Sequence, residues 1–122
     1  MSSILELIKR VEVAKGPDRE LDEAIFEMTH GRKRNRSTFE QYDPSEPLPH
    51  YTSSLNVVIT LVERTFPGPE YGWMINSDGY GTIWRENAED ACGAVGPDLD
   101  GIAPPTPALV LLLTFLRAKQ SQ

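Results

Sequence analysis

The stretch Thr106-Pro107-Ala108-Leu109-Val110-Leu111-Leu112-Leu113-Thr114-Phe115-Leu116 decides how the chain must fold. Thr106 offers a capping hydroxyl and Pro107 suits the first helical position, because its missing N–H is one the helix leaves unbonded there anyway. The nine residues that follow are apolar around nearly the whole circumference. A helix of that kind needs cover on every side, from other elements or from a second subunit. Arg117 and Lys119 then return it to water. The expectation is a buried helix over 106–119 that also suits self-association into a homo-oligomer.

Working back from it, Tyr71 to Glu86 predicts a β-hairpin. Tyr71, Trp73 and Ile75 alternate with Gly72, Met74 and Asn76, Ser77-Asp78-Gly79 supplies the turn, and Tyr80, Thr82 and Trp84 alternate on the return strand. Residues 87–105 read as loop, with a short strand at Cys92–Val95. Upstream, Ser3 and Glu6 have capping-box spacing and Gly16-Pro17 stops a first helix near Lys15. A second helix runs from about Asp18 to His30, with Gly31 as its left-handed cap and Leu21, Ala24, Ile25 and Met28 on one face. A third begins near Thr52 or Ser53. Leu55, Val58, Ile59, Val62 and Phe66 mark its core face, and Val57 and Leu61 widen that face, so this helix should be more buried than the first two. Pro67-Gly68-Pro69 ends it. The reading is one α+β domain over 1–122, with about four helices and a small antiparallel sheet.

Composition narrows the function. The 122 residues carry 12 Lys and Arg against 18 Asp and Glu, a net charge of −6, which argues against the broad basic face of a nucleic-acid binder. Arg32, Lys33, Arg34 and Arg36 crowd into five positions, and setting these four charges aside leaves −10 on the rest. Guanidinium groups bind phosphate or carboxylate in a bidentate manner, and Phe39, Tyr42, His50 and Tyr51 lie near enough in sequence to stack on a base. The same run also reads as a solvated loop that balances an acidic surface. Trp73 and Trp84 read as cross-strand packing or as a stacking platform.

The chemistry-bearing residues are sparse. His30 and His50 are the two histidines and Cys92 the one thiol, with no HxH, HExxH or CxxC spacing, so neither a zinc site nor a nucleophilic pair is expected. Asp98-Leu99-Asp100-Gly101 and Ser77-Asp78-Gly79 look like pieces of calcium loops but lack the remaining ligands, and turn chemistry accounts for them. Glu86, Glu89 and Asp90 read as solvated carboxylates. No glycine-rich phosphate loop occurs, and no cofactor is expected. The N-terminus has no apolar signal core, and 108–116 is far short of the roughly 20 residues that span a bilayer, so the expected setting is cytoplasmic without membrane contact.

Three blocks carry a resemblance: Gly16-Pro17-Asp18-Arg19-Glu20-Leu21-Asp22, Tyr51-Thr52-Ser53-Ser54-Leu55, and Thr106-Pro107-Ala108-Leu109 with Leu116-Arg117-Ala118, with the Gly72-Trp73 strand between the last two. In this order they resemble the small phage and prophage proteins described as an ABA sandwich domain. The resemblance implies an α-β-α layered sandwich and a viral origin, and it carries no activity. The leading expectation is a non-catalytic phage protein that binds a small anionic ligand, such as a nucleotide immune signal of its host. In that reading Arg32, Arg34 and Arg36 hold phosphate and Tyr51 or Trp73 stacks on the base. The alternative is a protein–protein adaptor or inhibitor that presents its acidic surface to a host protein.

Overall fold

A computed structural model of the chain describes residues 3–32 and 47–122. The elements run α1 (Ile4–Val13), α2 (Arg19–His30), α3 (Leu55–Thr65), β1 (Tyr71–Ile75), β2 (Gly81–Arg85), β3 (Ala91–Val95), α4 (Pro97–Asp100) and α5 (Pro107–Gln120). The chain is α+β and layered, and its sheet is antiparallel in the order β1-β2-β3.

Local chemistry sets the helix ends. Ser3 accepts from the Glu6 amide, Asp18 from Leu21, Ser54 from Val57 and Thr106 from Leu109, so each long helix has a side-chain N-cap. Gly31 closes α2 at φ 70, where a β-carbon would be strained. α3 starts at Leu55, slightly later than expected, with the last hydroxyl of Thr52-Ser53-Ser54 as its cap. The Thr52 hydroxyl is engaged elsewhere and accepts from the Asp18 amide at 2.8 Å. The 87–105 stretch is more ordered than its composition suggests. It holds β3 and the four-residue α4, which Gly101 ends at φ 72. The calcium-loop look of 98–101 thus resolves into helix and cap.

The terminal helix is the middle layer. α5 touches all three strands on one side and α1 and α3 on the other, while α2 packs on α1. Leu109, Leu111, Leu112, Leu113, Phe115 and Leu116 are fully buried within the one chain. The apolar circumference that suggested a subunit interface is therefore covered within the one chain. Even Thr114 is satisfied in place, its hydroxyl donating to the Val110 carbonyl at 2.7 Å.

Glycines let the helix lie flat on the sheet. A β-carbon at Gly93 would sit 2.5 Å from the Ala118 amide nitrogen, and one at Gly81 would strike the Thr114 hydroxyl. Arg117 pins the three layers at one end, donating to the Ala94 carbonyl at 2.9 Å and to Glu12 at 3.0 Å.

The hairpin register separates the two tryptophans. Trp73 pairs with Ile83 and Gly72 with Trp84, so Trp73 shares the α5-facing side with buried Ile83, while Trp84 lies on the opposite side. The expected cross-strand aromatic pairing gives way to two separate packings. Trp73 is half-buried against the core, and the Trp84 indole covers Gly72, where any β-carbon would collide with it.

Candidate functional site

The site begins at the N-terminus of α2, where two of the sequence blocks prove to be a single hydrogen-bonded unit. Asp22 is 1% exposed, and its carboxylate accepts from the Thr52 amide at 2.8 Å and from Arg19 at 2.9 Å. The Arg19 guanidinium also donates to the Leu48 carbonyl at 3.0 Å and to His50 Nδ1 at 2.8 Å. Arginine has no acceptor, so His50 Nδ1 is the acceptor in that contact. Together with the Thr52–Asp18 bond, this clasp fastens residues 48–52 to α2. It fixes the backbone on both sides of Tyr51.

Tyr51 is 4% exposed and lines a cleft of about 420 Å³. The other walls are Thr29 and His30 at the end of α2, Pro49, Val57, Thr60, Leu61, Arg64 and Thr65 of α3, and Lys119 in the last turn of α5. This volume falls within the range of about 300–1,000 Å³ usual for small-molecule sites. Among the described residues the lining brings together two cations, three threonine hydroxyls, a phenol and an imidazole, and it includes no carboxylate.

Local geometry constrains several of these groups. His30 stacks on Phe26 with ring centroids 3.9 Å apart and 13° between planes, and its Nδ1 lies 3.1 Å from the Phe26 carbonyl. A carbonyl only accepts, so that bond puts the hydrogen on Nδ1. The Thr29 hydroxyl also donates to the Phe26 carbonyl, at 3.2 Å. Burial pushes the Tyr51 phenol above its ordinary value, while the Thr29 hydroxyl and the positive charge of Arg64 pull it back down. Tyr51 therefore enters the cleft as a neutral hydroxyl at ordinary pH.

The residues expected from sequence are not all gathered here. Tyr51 lines the cleft. Arg32 is exposed just beyond α2, its guanidinium 5.6 Å from the Phe26 ring centroid, and it is not part of the lining. Trp73 is on β1 and packs against the core. Arg34 and Arg36 lie outside the described residues. Conversely, sequence reasoning passed over Arg64, Lys119 and Thr60. The signal was present in α3, where Val57, Thr60, Leu61 and Arg64 recur at 3–4 spacing beside the core stripe. Their apolar members read as a wider core face, yet only Val58 and Val62 of α3 are buried, against five residues of α2. The second stripe of α3 forms a cleft wall, which corrects the expectation that this helix is the more buried one.

The remaining chemistry-bearing residues stand apart. Cys92 is on β3, where its carbonyl accepts from Ser121 at 2.8 Å, and His50 belongs to the clasp. Glu86, Glu89 and Asp90 are exposed. The Tyr80 phenol donates to Asp98 at 2.5 Å and ties the hairpin to α4. Among the described residues no group of three or more His, Cys, Asp and Glu is placed to hold a metal ion, and no helix is long and apolar enough to cross a membrane. No family model matches the chain, and neither a curated protein nor a solved structure matches it.

Proposed function

We propose that this chain is a non-catalytic binding protein that holds a small anionic ligand in the cleft between α2, α3 and the end of α5. One observation carries the reading: on a protein of net charge −6, the cleft lining has Arg64 and Lys119 and, among the described residues, no carboxylate. Guanidinium and ammonium donors beside an apolar wall suit an anion that is partly withdrawn from water. A nucleotide meets this description. In the phage setting implied by the resemblance, such a ligand would be a host signal kept from its receptor.

The test is thermal-shift and calorimetric titration with a panel of linear and cyclic nucleotides and simple phosphates. Ligand-dependent stabilisation that disappears in Arg64→Glu/Lys119→Glu supports the reading. Loss of binding in Arg34→Glu/Arg36→Glu, with the cleft variant unaffected, would move the ligand to the basic run. No stabilisation by any anion, together with a stoichiometric host protein partner, would replace this reading with the adaptor role.

A further inference from the structure

We propose, resting on the anionic-ligand reading of the cleft, that its ligand is an organic phosphate monoester with a ring-sized apolar body rather than a free inorganic ion. Two features of the lining point to a two-part ligand. Arg64 and Lys119 supply two positive charges, matching a phosphate monoester, which carries about −1.5 to −2 at neutral pH and offers three acceptor oxygens. The Thr29 and Thr60 hydroxyls already donate to the Phe26 and Asn56 carbonyls, so the Thr65 hydroxyl is the threonine donor that adds to the two cations.

The rest of the wall has no use for a bare ion. Pro49, Val57 and Leu61 present apolar surface, and Val57 and Leu61 are half-buried, packing on the edge of the core and leaving part of their surface to the cleft. A bare phosphate has nothing to bury there, whereas an aromatic or aliphatic ring gains by displacing water from them. A cleft of about 420 Å³ also exceeds what one phosphate fills. A phosphodiester keeps one charge for the same two cations, so a monoester is the better match.

Phenyl phosphate, inorganic phosphate, phenol and diphenyl phosphate separate these features, using isothermal titration against the full chain. Phenyl phosphate should bind at least ten-fold more tightly than each of the other three. Thr60 is exposed at the cleft wall, so Thr60→Trp should fold normally while filling the space. It should reduce phenyl phosphate to the affinity of inorganic phosphate, and Arg64→Ala should weaken both phosphates alike. Equal affinity for phenyl and inorganic phosphate, or unchanged phenyl phosphate binding in a folded Thr60→Trp variant, would overturn the monoester assignment and leave the anion reading standing. Diphenyl phosphate binding as well as phenyl phosphate would overturn the monoester in the same limited way. Phenol binding as well as phenyl phosphate, or no binding by any probe, would overturn both.

Discussion

Tyr51 shows how one buried polar group connects folding to the site. Its phenol is held neutral mainly by burial, so its folded value lies above the unfolded one. The stability linked to that difference is fully present below about pH 10, the unfolded value, and is lost as pH rises through the folded value. Denaturation followed between neutral pH and strongly alkaline pH should therefore show a decline beginning near pH 10 that is shallower in Tyr51→Phe. An identical decline in the variant would remove Tyr51 as its source. Gly93 tests packing at the same scale. Its missing β-carbon admits the α5 backbone, so Gly93→Ala should cost about 1–3 kcal/mol by chemical denaturation. Gly16 has open space around it, and Gly16→Ala should be harmless or slightly stabilising.

At the scale of elements, the clasp and the middle helix hold the fold together. Asp22→Ala leaves the buried Thr52 amide without its acceptor and releases Arg19, which should cost about 2–3 kcal/mol. Asp22→Asn, which keeps an acceptor for Thr52, should cost less, and equal losses in the two would show that charge alone matters. Leu113→Ala opens a void in α5 with packed neighbours on both sides and should cost about 2–5 kcal/mol. Helices were legible in the sequence because their signals are local: Ser3, Asp18, Gly31, Thr106 and Pro107 each act within one turn. The hairpin was legible for the same reason, and its register was not. Which side of the sheet carries Trp73 and which carries Trp84 depends on where α5 lands, and no residue within the hairpin encodes that.

For the whole molecule, α5 explains both what the sequence revealed and what it concealed. Its apolarity signalled burial, and the single chain supplies the cover by placing the sheet on one side and α1 and α3 on the other. That arrangement brings Lys119 and Arg64 to one cleft, although 55 positions of sequence separate them. The cleft is built where the ends of α2 and α5 meet α3 and residues 49–51, so its lining is scattered through the chain, and of the expected ligand-binding residues Tyr51 alone is among the described lining. The 3–4 stripe of Val57, Thr60, Leu61 and Arg64 was visible, but an apolar residue facing a cleft and one facing a core leave the same mark on a helix. The central claim is that this convergence makes a binding site for anions. The most direct measurement is a backbone NMR titration of the full chain with phenyl phosphate. Saturable shifts confined to residues 29–30, 49–51, 57–65 and 119, absent in Arg64→Glu/Lys119→Glu, are the predicted result; no saturable shift, or shifts confined to the sheet around Trp73, would contradict it.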